Sequence, residues 1–163
     1  MKKITLLAFI QLMMFNSVYS QTFDVDTIQY KGDINKYINI VIMGDGYTSA
    51  EQAAFISNAT SLKNHLFSQV PFSNYINYFN VFTIKVISNE SGAKHPNTAS
   101  DCGSASPLVP ISTADTYLGC TFDYYGIHRL VVPTNYSNVA NVLSTNFPSY
   151  DLVLIVSNSP YYG

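Results

Sequence analysis

Two short stretches of the sequence carry side chains that could take part in chemistry. GDGYT, at residues 44–48, places Asp45 where an apolar run turns into a helical pattern. SNESGAKHP, at residues 88–96, places Glu90 and His95 just past a second apolar run. Ligands of open α/β sheets collect at the carboxyl ends of strands. Asp45, Glu90 and His95 are therefore candidates for a rim that contacts substrate.

Each stretch also has a structural interpretation that involves no ligand. Gly44 and Gly46 allow a tight turn, and Asp45 and Thr48 can accept hydrogen bonds from free N–H groups at a helix start. Polar residues of the second stretch are typical of a solvated loop. The sequence alone leaves both interpretations open.

The histidines argue against a zinc site formed by this chain. His65, His95 and His128 stand far apart, and no two of them are separated by four residues. Zinc hydrolases commonly take two imidazoles from one turn of a helix. We therefore expect the chain to bind no zinc and to contain no catalytic or metal-ligating residue.

Cys102 and Cys120 are the only cysteines. In a chain exported to an oxidising compartment, two cysteines favour a disulfide. A zinc site is the weaker alternative, because the two thiols are widely spaced and no CxxC motif or nearby histidine pair accompanies them. The sequence predicts a Cys102–Cys120 bridge.

The export signal is predicted at residues 1–20. Lys2 and Lys3 precede an apolar run that is too short to remain as a membrane anchor, and small residues lead to a cleavage point after Ser20. We expect a secreted or periplasmic protein whose mature chain begins at Gln21. The formal net charge of −2 becomes more negative once the two lysines are removed, which argues against nucleic acid or an anionic membrane surface as a partner.

The first apolar run and the pattern after it predict a strand followed by a helix. Residues 37–44 form a near-continuous apolar run with β-branched side chains, which is typical of a strand covered on both faces. Thr48 and Glu51 have the spacing of a capping box. Apolar residues then recur at the spacing of one helix face, at Phe55, Ala59, Leu62 and Leu66. This helix should end before Pro71.

The rest of the chain predicts three further segments of regular structure around a long loop, and then a last strand. Residues 80–88 alternate as a strand, and residues 89–127 lose all periodicity. A third strand is predicted at 128–134, a short helix over 136–146 and a final buried strand at 152–157. This order predicts a single α/β domain with a mainly parallel sheet and helices packed on it.

Four blocks of the sequence together resemble one family. They are VIMGDGYTSAE, LFSQVPFSNYINYFNVFTIKVISNESGAKHP, DTYLGCTFDYYGIHRLVVPTN and YDLVLIVSNSPYYG. The chain resembles the immunoglobulin-A peptidase family of secreted bacterial zinc metallopeptidases, from Tyr37 to Gly163. The resemblance implies a zincin-like fold, a zinc cofactor in the full-length relative, and protein or peptide substrates.

In that family a glycine-rich stretch and a zinc-binding HExxH helix follow, and this sequence contains no HExxH. We therefore expect residues 21–36 to be a lead-in and residues 37–163 to be the N-terminal portion of an incomplete catalytic domain, inactive alone. The alternative is a complete, non-catalytic secreted α/β module that binds a glycan or a protein.

Overall fold

The computed structural model describes residues 21–161. The strands are β1 (Val25–Gln29), β2 (Ile38–Asp45), β3 (Phe79–Ile84), β4 (Cys120–Thr121), β5 (Val132–Pro133) and β6 (Leu152–Ser157). The α-helices are α1 (Gln52–Ser68), α2 (Phe72–Tyr75) and α3 (Tyr136–Asn146), and short 3₁₀ turns lie at Ser49–Glu51, Ile76–Tyr78, Cys102–Ser104 and Tyr124–Gly126. The predicted signal peptide lies outside the described residues. Within the described range, no helix combines the length and hydropathy needed to cross a membrane.

The main sheet has four strands in the order β1-β3-β2-β6. β2 is parallel to both of its neighbours, β3 and β6, and only β1 runs antiparallel, on the outside of β3. The α1 helix connects β2 to β3, as parallel pairing requires. The expectation of an α/β domain with a mainly parallel sheet is therefore confirmed.

Side chains of β2 alternate between two apolar layers, one on each face of the sheet. Ile40 and Ile42 pack with Phe55, Ala59 and Phe67 of α1 on one face. The layer on the other face contains residues of the strands, of α3 and of the long connection between β3 and α3. Its buried members include Val41, Met43, Phe82, Leu118, Val142 and Leu143. Burial on both faces explains why the sequence of β2 reads as a continuous apolar run.

Several predicted elements are confirmed. Both α1 and α3 lie where the apolar spacing indicated, and α1 ends before Pro71. The predicted helix face is also correct, because Phe55 and Ala59 are fully buried while Leu62 and Leu66 pack against the same layer.

Three expectations need correction. The lead-in contains β1, an edge strand paired with β3. The predicted third strand at 128–134 is reduced to β5, which pairs only with β4 in a separate two-stranded sheet. The final strand, β6, lies at the edge of the main sheet, so its side chains are half-buried or exposed rather than enclosed on both faces.

Candidate functional site

The carboxyl ends of β2, β3 and β6 meet at one edge of the sheet, because these three strands are parallel. Asp45 ends β2, Ser88 follows β3, and Asn158 follows β6. The long connection between β3 and α3, which begins at residue 85 and includes Ser88, covers this edge and forms hydrogen bonds with Asp45 and Asn158. This is the place at which an open α/β sheet presents ligand-binding loops.

Asp45 is the anchor of that connection. Its side chain is fully buried, and its Oδ1 accepts a hydrogen bond from the Leu118 N–H at 2.8 Å. Its Oδ2 accepts from the Cys120 N–H and from the Thr116 hydroxyl, both at 2.8 Å. The Ser88 hydroxyl donates a longer hydrogen bond, of 3.3 Å, to Asp45 Oδ1. One buried carboxylate thus holds residues 116–120 against the end of β2.

Gly46 forms the turn that the sequence predicts after β2. Its φ is +75°, in the left-handed region that glycine adopts without steric cost. The Gly92 N–H donates to the Gly46 carbonyl at 3.0 Å, and a Cβ at Gly46 would lie 1.7 Å from the Gly92 carbonyl oxygen. Two backbone segments therefore approach as closely here as a glycine allows.

Glu51 joins three segments at the same edge. One carboxylate oxygen accepts from the Thr48 N–H at 2.9 Å and the Thr48 hydroxyl at 2.8 Å, so the predicted capping box is present. The other oxygen accepts from the Ser91 hydroxyl at 2.7 Å and from the Asn158 amide at 3.3 Å. These hydrogen bonds, led by that from the Thr48 N–H, lower the pKa of Glu51 to about 2.

Glu51→Gln should destabilise the fold at neutral pH and have a smaller effect in acid. The replacement removes charge-assisted helix capping, and we expect a loss of about 1 kcal/mol at pH 7. Because the folded pKa is lowered, the ionised carboxylate stabilises the fold above about pH 4.5 and loses this effect as the pH falls toward 2. Urea unfolding of both proteins across this range checks the prediction. A stability difference that stayed constant between pH 7 and 2 would contradict it.

The structure places the three predicted rim residues at different depths. Glu90 is exposed, and its carboxylate accepts a hydrogen bond from the Asp115 N–H at 2.7 Å. Asp45 and His95 are buried, with exposed fractions of 0% and 1%. A substrate-contacting role for these residues stays a prediction, and the exposed Glu90 is the one that a substrate could reach directly.

The predicted disulfide is absent from the structure. Cys102 and Cys120 are both free and buried. The Cys102 thiol donates to Asp123 Oδ1 at 3.3 Å, while Cys120 lies on β4 beside the Asp45 carboxylate. The spacing of the two cysteines in a loop suggested a bridge, but folding directs their side chains to different acidic partners. Burial, followed by the charge of Asp45, raises the pKa of Cys120.

Cys102 instead belongs to a compact cluster of four buried side chains. Its members are His95, Cys102, Asp123 and His128, and one potential ligand atom from each lies within 4.8 Å of all the others. The Cys102 Sγ is 3.8 Å from His95 Nε2, and His95 Nε2 is 3.5 Å from Asp123 Oδ2. The His128 Nδ1 is 2.8 Å from Asp123 Oδ1. The expectation that the histidines are dispersed is therefore wrong for His95 and His128.

Backbone pairing within the long connection positions His95. Its N–H donates to the Ser112 carbonyl at 2.9 Å, and its carbonyl accepts from the Ser112 N–H at 3.1 Å. The adjacent Lys94 bridges to Thr121 on β4. The His95 ring is oriented by a 2.9 Å contact between Nδ1 and the Pro110 carbonyl oxygen. Because a carbonyl only accepts, Nδ1 carries a proton, and the ring nitrogen that can offer a lone pair is Nε2.

A tight turn brings Asp123 and His128 together. Asp123 has a φ of +63°, a left-handed conformation that aspartate tolerates better than most side chains, and it precedes the 3₁₀ turn Tyr124–Gly126. The Gly126 N–H donates to the Asp123 carbonyl at 3.0 Å, which closes the turn. Phe122 lies against both imidazoles, with ring centroids 5.7 Å from His95 and 6.0 Å from His128.

The cluster concentrates ionisable groups away from water. Desolvation opposes ionisation of Asp123, but hydrogen bonds from His128, the Thr98 N–H and Cys102 outweigh it and lower the pKa of this carboxyl. Burial, and then the hydrogen bond to Asp123, raises the pKa of the Cys102 thiol. Without a bound cation, Cys102 is therefore an unactivated thiol and a poor nucleophile.

His128 leaves one polar atom without a partner. Its Nε2 is buried, and among the described residues no group forms a hydrogen bond with it. A cavity of about 300 Å³, lined partly by Asp101, Ser104, His128 and Arg129, borders the ring. The His128 side chain is nevertheless only 2% exposed. The cluster thus lies just beneath the floor of a surface cavity.

Sequence reasoning missed this cluster because its members come from a loop without periodicity. The available signal was the density of His, Cys and Asp between residues 95 and 128, but only folding shows which side chains converge. Two imidazoles, a thiol and a carboxylate are ligands that zinc prefers. They can hold a metal, whereas the burial of the set gives a substrate no direct contact with it.

Comparisons with known proteins assign the family. A model of the family described as IgA Peptidase M64 matches residues 27–163. Comparison with the curated proteins found no match. The family match begins within β1 and covers β2, β3 and β6 of the main sheet, the helices α1, α2 and α3, and the whole of the long connection. This chain therefore belongs to the IgA peptidase M64 family.

Proposed function

We propose that residues 37–163 form the N-terminal portion of the catalytic domain of an exported zinc-dependent peptidase that hydrolyses peptide bonds in proteins. The observation that carries this proposal is the family match over residues 27–163. The signal-like residues 1–20 support export, and the negative charge supports the absence of a nucleic-acid partner.

Features of the sheet support a zincin-like role for this portion. In the described part of the chain, β6 pairs with β2 on one side and with no strand on the other. Its Val153, Leu154, Ile155 and Val156 side chains are only half-buried. A strand edge with free N–H and C=O groups can bind an extended peptide. We place the rest of the catalytic domain and its substrate beside this edge.

The four-residue cluster does not fit the catalytic zinc of such a peptidase. A catalytic site keeps one coordination position open for water and supplies a general base nearby. Here all four protein groups are buried, so a metal bound by all of them would have no free tetrahedral position. The sequence also contains no HExxH. We therefore assign the catalytic metal to residues outside this sequence.

Extending the reading frame tests the function. We expect the DNA after codon 163, allowing for one frameshift, to encode a glycine-rich stretch and then HExxH. The extended protein should hydrolyse a protein substrate such as casein in a chelator-sensitive manner. Replacing the HExxH glutamate with glutamine should reduce the rate by at least about 100-fold, because general-base catalysis contributes about 10²–10⁴-fold.

The 163-residue chain is the matched control and should show no hydrolysis above background. Chelator-sensitive hydrolysis by this chain would overturn the assignment of the catalytic residues to a downstream segment. A verified stop codon after Gly163, with no HExxH in any downstream frame, would favour the non-catalytic alternative.

One observation favours that alternative, a secreted module that binds a glycan or a protein. A groove of about 400 Å³ is lined by Lys36, Ile38, Pro71, Phe72, Tyr75, Tyr78 and Phe79. Tyr75 and Tyr78 are more than half exposed. Exposed aromatic rings are frequent at recognition surfaces, where they offer a large apolar area and a polar tip.

A further inference from the structure

We propose that His95, Cys102, Asp123 and His128 bind one zinc ion, which crosslinks the long connection between β3 and α3. This site is independent of the proposed peptidase activity, because none of its ligands belongs to an HExxH motif. The four residues offer two nitrogens, one sulfur and one oxygen, all of which zinc accepts.

The spacing of the ligand atoms supports a tetrahedral site. With zinc–ligand bonds of roughly 2.0–2.3 Å, neighbouring ligand atoms in a tetrahedron lie about 3.3–3.7 Å apart. Cys102 Sγ lies 3.3 Å from Asp123 Oδ1 and 3.8 Å from His95 Nε2. His95 Nε2 lies 3.5 Å from the other carboxylate oxygen, Oδ2, so the carboxylate must turn slightly to present one oxygen to the metal. The 2.8 Å distance from His128 Nδ1 to Asp123 is shorter, so binding requires a small outward movement of one of these side chains.

The surroundings of both imidazoles also fit metal ligation. The Pro110 carbonyl fixes the His95 proton on Nδ1 and leaves the Nε2 lone pair facing Cys102 and Asp123. A backbone carbonyl in this role is a common outer partner of a zinc-bound histidine. His128 Nδ1 hydrogen-bonds Asp123 in the metal-free protein, and zinc binding would move the ring proton to Nε2 so that Nδ1 offers its lone pair to the metal.

Without a cation the cluster is costly to bury. A carboxylate, a thiol and two imidazoles are all removed from water in one small volume. Buried polar groups of this kind are stabilised only when their pairing is complete. A zinc ion would supply positive charge beside the carboxylate and the thiol, and it would bind the lone pair that His95 Nε2 directs into the cluster.

The position in the chain indicates what the zinc would do. The ligands lie on three loop segments, around residues 95, 102 and 123–128, whose regular structure consists of isolated bridges and single 3₁₀ turns. Closing such loops lowers the entropy of the unfolded chain, and a structural zinc contributes its binding energy to folding. The ion would thus crosslink the loop that the sequence assigned to a disulfide.

The test uses the full chain, exported and purified without chelators. We expect about one zinc per chain by elemental mass spectrometry. Removing the metal should lower the melting temperature, and adding zinc should restore it. Cobalt titrated into the metal-free protein should give visible bands of tetrahedral coordination and a near-ultraviolet thiolate-to-cobalt band.

Two cysteine variants make the test specific. Cys102→Ser should abolish the thiolate band and weaken metal binding by roughly 100-fold or more, since even an outer-shell partner of a zinc ligand is worth about 10- to 100-fold. Cys120→Ser, which changes the other buried cysteine, should retain the band and the stoichiometry. If Cys102→Ser does not fold, the cobalt spectra of wild type and Cys120→Ser decide the question.

The absence of a thiolate band in the wild type would overturn the proposal. So would a Cys102→Ser variant that keeps full metal content and affinity, because the metal would then be bound elsewhere. Loss of the band in Cys120→Ser alone would likewise assign the metal to a different site.

Discussion

Asp45→Ala should lower the free energy of unfolding by about 3–5 kcal/mol, the range typical when one partner of a buried charged network is removed. The replacement leaves the N–H groups of Leu118 and Cys120 and the Thr116 hydroxyl without their acceptor, all beneath the surface. Residues 116–120 would lose their attachment to the end of β2. Urea unfolding gives the energy, and limited proteolysis should show faster cleavage in the long connection.

Asp115→Asn provides the matched control. Asp115 is exposed in the same segment, and its carboxylate accepts a hydrogen bond from the Asn89 amide at 2.8 Å. Surface changes of this kind usually alter stability by no more than about 0.5 kcal/mol. An Asp45→Ala loss as small as that of the control would contradict the anchoring role of the buried carboxylate.

Gly46→Ala should be the second strongly destabilising change, with a loss of roughly 2–5 kcal/mol from backbone strain and steric overlap together. The new Cβ would lie 1.7 Å from the Gly92 carbonyl oxygen, and backbone atoms on both sides would have to move. That movement would also disturb the hydrogen bonds that Gly46 forms with Gly92 and Asn158. Thermal and urea unfolding measure the loss.

Gly126→Ala separates the two causes. Gly126 has nearly the same φ, +74°, but an added Cβ would meet no atom within 4 Å. Its replacement should cost only the left-handed conformation, about 1–2 kcal/mol. Gly103→Ala, with open space and no positive φ, should be close to neutral. Equal losses for Gly46→Ala and Gly126→Ala would show that the approach of Gly92 is looser than the structure indicates.

The sequence by itself determined the elements whose signals are local. The apolar run of β2, the face of α1 defined by Phe55 and Ala59, and the capping pair Thr48 and Glu51 all lie where their patterns predict. Each signal arises within a few residues, from burial periodicity or from a hydrogen bond at a helix start. The turn at Gly46 belongs to the same class, because a chain leaving a strand for a helix needs a permissive residue there.

Only the tertiary structure decided how distant segments pair. The run at 128–134 has the composition of a strand, yet Val132 and Pro133 pair with β4 rather than with the main sheet. Residues 25–29 looked like a lead-in, but they pair with β3 as an edge strand. Strand composition reports burial and not the partner, so the sheet to which a strand belongs depends on the whole chain.

The candidate site shows the same division. Asp45 could be identified from its place at a strand end, but its role became visible only when residues 116–120 were found to donate to it. The sequence predicted a disulfide between Cys102 and Cys120, whereas in the fold Cys102 contacts Asp123 and His95. The convergence of His95 with His128 depends on backbone pairing inside a loop without periodicity. No local pattern encodes that pairing, so the cluster was decided by the packing of the loop against the sheet edge.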